Sequence, residues 1–129
     1  GIRDSSVTGV QTCALPIWLH PSQPRRVPLV RDLLGSSNAP VVAVTDFMKI
    51  VPEQVARFVD RPFVPLGTDG MGRSDTREAL RHFFEVDAGH VVVAVLSALA
   101  ETGAVPSEAV AVAMQRHGID PESIDPYRV

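Results

Sequence analysis

Short apolar runs alternate with longer, helix-like segments from residue 28 onward. The run Val41–Thr45 follows Pro40 and is rich in β-branched residues, which predicts a buried strand. Asp46, directly after it, is expected to cap a turn because its carboxylate accepts from free backbone N–H groups. A second run, Pro62–Leu66, carries two prolines that donate no ladder hydrogen bond, so we expect an edge or irregular strand there.

Prolines, acidic caps and glycines mark the ends of the predicted helices. These helices are Pro28–Leu34, Pro52–Val59, Asp75–Phe84, Ala88–Thr102 and Pro106–His117. Asp75 and Glu78 have the spacing of a capping box, and Asp87 is the expected cap of the fourth helix. That helix is apolar on nearly every face, so we expect it to be the central buried helix. Alternating strands and helices predict an α/β fold, with a mainly parallel sheet flanked by helices.

The first seventeen residues follow none of these patterns. Gly1–Ile17 has neither a helical nor an alternating apolar period, and it lacks the charged start and apolar run of a signal peptide. When Val7–Ile17 is back-translated, it resembles a common short-read sequencing adapter. We therefore expect residues 1–18 to be adapter-derived and disordered, and residues 19–129 to be the natural domain. Cys13 then carries no biological role.

Composition excludes several classes of function. The chain has 129 residues and a formal charge of −3, without the clustered basic excess of a nucleic-acid binder. Uninterrupted apolar runs fall short of the roughly 18 residues that span a bilayer. A single cysteine excludes a disulfide framework or a cysteine metal site. We accordingly expect neither nucleic acid nor membrane as a partner.

The segment Gly67–Asp75, GTDGMGRSD, has the most site-like pattern. It joins a predicted strand to a predicted helix, where backbone N–H groups can hold an anion. The Lys-Ser/Thr ending of a phosphate loop is absent, however, and Asp69 and Asp75 would repel phosphate. A tight structural turn is therefore the favoured interpretation. The nearby charges of Arg73, Asp75 and Arg77 form either a contact surface or a solvated helix start.

No constellation of catalytic residues is evident. The histidines are His20, His82, His90 and His117, and no two lie three to five residues apart, so we expect no local metal pair. His82 and Glu85 have helical spacing, which leaves a metal or acid–base role conceivable beside the more ordinary partly exposed histidine. We predict no catalytic, cofactor-binding or metal-binding residue in this chain.

The motif LGTDGMGRSDTREALRHFFEVD, preceded by TDFMK and PEQV, resembles a known family. It is similar to the carboxyl-terminal domain of the homodimeric-type pyruvate dehydrogenase decarboxylating component, and the resemblance extends over Leu19–Val129. It implies a transketolase C-terminal-like domain, truncated at its start. The parent enzyme would be a cytoplasmic homodimer that uses thiamine diphosphate and Mg²⁺ to decarboxylate pyruvate. It would pass the acetyl group to a lipoyl group on the acetyltransferase core of the complex.

In this family the cofactor contacts lie in the first two domains, so we expect this chain to bind no cofactor and to support the dimer. Our hypothesis is that Asp69, Arg73 and Asp75 contact a neighbouring domain or subunit. The alternative is a stand-alone interaction or regulatory module of the same fold, which a start codon near Leu19 would favour. A sheet lacking its opening strand would leave an unpaired edge, so we expect a marginally stable, aggregation-prone chain.

Overall fold

The computed structural model describes residues 21, 22, 24 and 27–128 of the chain. The predicted adapter-derived segment, residues 1–18, lies outside the described residues, as do Cys13 and His20. The chain divides into two compact units, Gly1–Asn38 with Val55–Asp60, and Ala39–Gln54 with Arg61–Val129.

The first unit contains one complete described helix, α1, Leu29–Leu34. Pro28 is its N-cap, so the helix begins one residue later than predicted, and Gly35 follows its end with a φ of 67°, as predicted. An exposed ion pair joins Arg31 to Asp60 in the same unit. Such exposed pairs contribute little to stability because water screens them.

The second unit is built on two parallel strands, β1, Val41–Val44, and β2, Phe63–Leu66. Their register pairs Val41 with Phe63 and Val44 with Leu66. A parallel pair requires a crossover connection, and here that connection contains helix α2, Ile50–Ala56. The sequence predicted both strands, whereas α2 begins two residues before the predicted Pro52 and ends three before Val59. The α/β class with a parallel sheet is confirmed.

Three α-helices follow β2, namely α3, Arg77–Phe83; α4, Ala88–Glu101; and α5, Ser107–His117, and a short 3₁₀ helix at Pro126–Arg128 comes after them. Asp87 caps α4, since its carboxylate accepts from the backbone N–H of His90 at 2.9 Å, as predicted. The predicted cap of α3 was wrong. Thr76, not Asp75, occupies the N-cap, and its hydroxyl accepts from the N–H of Ala79 at 3.3 Å. Asp75 lies one residue too early and accepts instead from the N–H of Thr76.

Helix α4 packs against α5 and both strands, so its predicted central position is confirmed. Its predicted burial is only partial among the described residues. Ala98 is 2% exposed, but Val92 is 40% and Val95 is 36% exposed. The described residues supply too few neighbouring elements to cover every face of this apolar helix.

By length and composition alone, the segment Arg77–Glu101 is long and apolar enough to cross a membrane. The sequence estimate missed this because it counted only uninterrupted apolar residues. In the structure the segment is two helices, α3 and α4, separated at residues 84–87. The break places Glu85 and Asp87 in the middle of the apolar stretch, where a bilayer would make their charges costly.

Candidate functional site

The two loops that follow the carboxyl ends of β1 and β2 are joined by hydrogen bonds. The N–H of Thr68 donates to the carbonyl of Phe47 at 2.9 Å, and the hydroxyl of Thr68 donates to the carbonyl of Asp46 at 3.0 Å. The carboxylate of Asp69 accepts from the N–H of Lys49 at 2.9 Å. These bonds fix the glycine-rich loop, residues 67–72, against the β1–α2 loop, and both loops form the rim of the site.

At Gly67 the backbones of the two loops approach each other closely. A Cβ at this position would be 2.7 Å from the backbone nitrogen of Lys49 and 2.7 Å from the carbonyl oxygen of Phe47. At Gly67 the backbone of the β1–α2 loop leaves no space for a phosphate, and the carboxylates of Asp69 and Asp75 add unfavourable charge for an anion. These features disfavour a diphosphate at this loop, and the close contact at Gly67 agrees with the structural turn favoured from the sequence.

An open depression of about 460 Å³ lies between this loop and α3. Its floor is apolar, with Leu80, Phe84 and Val86, and Val86 is 6% exposed. Its walls are charged and comprise Asp46, Arg73, Asp75, Arg77 and Arg81. We call this feature the arginine depression. An apolar floor with charged walls is suited to a protein segment that offers one apolar and several carboxylate side chains.

Arg81 and Asp46 form a two-point ion pair on one wall of the depression. Nε of Arg81 donates to Oδ1 of Asp46 at 3.3 Å, and Nη2 donates to Oδ2 at 2.9 Å. The hydrogen bond from Arg81 lowers the pKa of Asp46, and the charges of Arg81 and Arg77 lower it further. The same contact raises the pKa of Arg81. Asp46 was expected to cap a turn. Thr45 caps that turn instead, because its hydroxyl accepts from the N–H of Phe47 at 3.1 Å.

The structure brings two of the three predicted contact residues to the depression. Arg73 and Asp75 line it, and the guanidinium of Arg73 lies 4.1 Å from the centre of the Phe83 ring, a cation–π contact. Asp69 is not a lining residue, and its carboxylate holds the backbone of Lys49. The contact that Asp69 makes within this chain stabilises the loop, and its role as a contact with a neighbouring domain or subunit stays a prediction.

Sequence reasoning missed a second cluster, formed by His82, Asp87 and His90 at the break between α3 and α4. Nδ1 of His82 is 2.8 Å from Oδ2 of Asp87, and Nδ1 of His90 is 2.7 Å from Oδ1. The expectation of no local histidine pair considered residues within one helix. His82 and His90 are eight residues apart, on two helices, and Asp87 joins them. The Asp-x-x-His spacing at a predicted helix start was the available signal.

No protein-family model matches this chain. Comparison with curated proteins, in contrast, finds clear relatives. The pyruvate dehydrogenase E1 component of Cupriavidus necator is 48% identical over 111 residues, which are 86% of this chain and 12% of that protein. The protein of the same name from Pseudomonas aeruginosa is 47% identical over 84% of this chain and 12% of its own length. That from Mycobacterium tuberculosis is 50% identical over 74% of this chain and 10% of its own length.

The chain is homologous to one part of the pyruvate dehydrogenase E1 component. The resemblance drawn from the LGTDGMGRSDTREALRHFFEVD motif is thereby confirmed. The chain spans only about 12% of the length of the first two E1 relatives. Its small α/β fold agrees with a transketolase C-terminal-like domain of an E1 component.

Proposed function

We propose that this chain is the structural, dimer-supporting C-terminal domain of a pyruvate dehydrogenase E1 component. The observation that carries this proposal is the identity of 48% over 111 residues to a stretch that makes up 12% of an E1 relative. The parent enzyme would be cytoplasmic and would use thiamine diphosphate and Mg²⁺ to decarboxylate pyruvate. It would transfer the acetyl group to a lipoyl group on the acetyltransferase core of the complex.

The contacts among the described residues favour a structural role in supporting a neighbouring domain or subunit over a catalytic role. The loops at the carboxyl ends of β1 and β2 are joined by one backbone hydrogen bond and by two bonds in which the side chains of Thr68 and Asp69 pair with the backbone of the β1–α2 loop. Ligands and partners of parallel sheets meet the molecule at this edge. The two hydrogen-bonded loops beside the arginine depression therefore offer a suitable contact surface for a neighbouring domain or subunit.

Charge reversal at Arg73 in the full-length enzyme tests the proposed contact. Arg73→Glu places a negative charge beside Asp75 and removes the stacking on Phe83, so it should weaken the dimer by about tenfold or more. Dimer dissociation is measured by analytical ultracentrifugation, and carbon dioxide release from pyruvate is measured in parallel.

Arg57→Glu is the matched control, because Arg57 also lies over a phenylalanine ring, 5.2 Å from the centre of Phe58, but does not line the depression. Unchanged dimer affinity and unchanged activity in Arg73→Glu would remove the contact hypothesis. Carbon dioxide release by the isolated chain, supplied with thiamine diphosphate and Mg²⁺, would remove the proposed non-catalytic role.

A further inference from the structure

The cluster of His82, Asp87 and His90 brings three possible metal-ligand atoms close together. The two Nδ1 atoms lie 2.8 Å and 2.7 Å from different oxygens of the Asp87 carboxylate. One ligand atom from each residue falls within 4.8 Å of the others. The imidazole rings meet edge to face, with centroids 5.3 Å apart. Nothing in the dimer-supporting role proposed above requires this arrangement.

Two local structures place these side chains. Glu85, two residues after the end of α3, has a φ of 58°, and the N–H of Val86 then donates to the carbonyl of Arg81 at 2.9 Å. The chain turns at once into α4, where Asp87 is fixed as the N-cap. His82, in the last turn of α3, and His90, in the first turn of α4, consequently face the same carboxylate. The cluster is thus held by the backbone as well as by its own hydrogen bonds.

We propose that His82, Asp87 and His90 form a binding site for a divalent transition-metal ion of the Zn²⁺ type. Two imidazoles and one carboxylate are donors that zinc accepts, with the remaining coordination filled by water. Mg²⁺ and Ca²⁺ prefer sites made only of oxygen ligands, so this donor set disfavours them.

The dimensions suit such an ion with a small adjustment. Tetrahedral Zn²⁺ with bonds of about 2.1 Å holds any two of its ligand atoms roughly 3.4 Å apart. The ligand atoms of the cluster, which lie within 4.8 Å of one another, have to draw together around the ion, while the Nδ1–Oδ distances of 2.8 Å and 2.7 Å widen as the ion replaces those hydrogen bonds. His82 can make that movement because its side chain is 60% exposed, whereas His90, at 14%, forms the fixed part of the site.

Space for the additional water ligands lies beside the cluster. A cavity of about 200 Å³ is lined by both histidines and also by Glu85, Asp120 and Ser123. These side chains can accept or donate hydrogen bonds to metal-bound water, which is the usual role of groups around a metal. The cavity is distinct from the arginine depression, since the two share no lining residue.

Calorimetric titration with Zn²⁺ tests the proposal on the 129-residue chain. All variants carry Cys13→Ser, because a free thiolate would bind zinc by itself. His82→Gln and His90→Gln each remove one donor. Asp87→Asn weakens the carboxylate ligand but keeps an N-cap for α4, so it separates metal binding from folding. Circular dichroism verifies the helix content of each variant. His117→Gln is the control, since His117 lies beside Gly89 but outside the cluster.

We expect one Zn²⁺ per chain, and at least about tenfold weaker binding in each of the three cluster variants. His117→Gln should bind as tightly as the parent chain, and excess Mg²⁺ should not compete. Three results would each overturn the site: no Zn²⁺ binding, an equal loss in His117→Gln, or full retention of binding in folded Asp87→Asn and His82→Gln.

Discussion

At residue 67 the chain passes beside the β1–α2 loop with no space for a side chain. An added Cβ would lie 2.7 Å from two backbone atoms, which cannot rotate away as the end of a flexible side chain would. We expect Gly67→Ala to lower the free energy of unfolding by about 1–3 kcal/mol, the usual range for overpacking. Urea unfolding followed by circular dichroism measures this change.

Gly72→Ala, five residues later, is the control for that substitution. Nothing lies within 4 Å of an added Cβ there, and the φ of Gly72 is outside the left-handed region. Alanine should therefore be neutral or stabilise by up to about 1 kcal/mol, because it restricts the unfolded chain. Equal destabilisation by the two substitutions would show that the contact at Gly67 has no energetic consequence.

The Asp46–Arg81 ion pair predicts a dependence of stability on pH. The pKa of Asp46 is lowered in the folded chain, so the folded state holds this proton less tightly than the unfolded state. The contribution of the pair is then fully present above the unfolded pKa and is lost as pH falls through the folded pKa. The stability difference between the parent chain and Asp46→Asn should shrink steadily as the solution is acidified below about pH 4.

Arg81→Gln and the double variant complete this cycle, measured by urea midpoints at each pH. The coupling between the two residues should be small at neutral pH, because both side chains are well exposed, and absent in acid. A coupling that is the same at neutral and acidic pH would contradict the assignment of the pair to the charge on Asp46.

Three helices, α3, α4 and α5, end in the same backbone motif. Its left-handed position can be predicted from the sequence where it is glycine, but not where it is another residue. After α3, α4 and α5 a backbone N–H donates to the carbonyl five residues earlier, as in Val86 to Arg81 and Ala104 to Leu99, and the residue before that N–H is left-handed. The left-handed position is glycine in two cases, Gly103 and Gly118. In α3 it is Glu85, whose Cβ makes that conformation costly.

Glu85→Gly should therefore stabilise the chain. The left-handed conformation of Glu85 costs roughly 1–2 kcal/mol, and glycine removes this strain. Glycine also makes the unfolded chain more flexible, which lowers stability by only about 0.4–1 kcal/mol. We expect a net gain of about 0.5–1 kcal/mol in the free energy of unfolding. Glu101→Gly, within α4, should instead lose about 1 kcal/mol, because a helical glycine has no such compensation. Thermal unfolding of both variants decides between these signs, and destabilisation by Glu85→Gly would refute the strain argument.

Most of the element boundaries could be predicted from residues with strong preferences for the ends of helices. Pro28 and Asp87 begin helices, and Gly35, Gly103 and Gly118 follow helix ends, because these preferences depend on a few adjacent residues. The cap of α3 could not be chosen from spacing alone, since Asp75 and Thr76 are both good caps and the turn geometry selects Thr76.

The candidate sites depended on longer-range geometry. Arg73 and Asp75 were predicted together because they are neighbours in sequence, and they do share the arginine depression. Their role as a contact with another domain or subunit stays a prediction. Asp46 pairs with Arg81, which is 35 residues later in the chain. His82 lies close to His90 because the chain turns at Glu85. Sequence periodicity predicts neither the contact of Asp46 with Arg81 nor that of His82 with His90, since both depend on how separate elements pack.

Over the described residues as a whole, apolar side chains are covered poorly. The buried apolar residues are small or medium in size: Val86, Ala98 and Ala113. Large side chains remain exposed on several elements, including Phe47 at 70% and Met71 at 75%. Each strand of the described sheet also pairs on one side only. A two-stranded sheet of this kind is marginal by itself, because hydrophobic burial supplies most of the stability of a small domain.

These features predict that the isolated chain is weakly stable and prone to aggregation. Hydrophobic stabilisation scales with the apolar area removed from water, and no large side chain here is fully buried among the described residues. We expect a free energy of unfolding below about 5 kcal/mol, the lower limit for ordinary domains, with a broad urea transition and dye binding to exposed apolar surface. Phe47→Lys with Met71→Lys should reduce aggregation at an unchanged urea midpoint, because both side chains are already in water. A sharp, reversible transition at high urea would show instead that this chain stabilises its own fold without a partner domain.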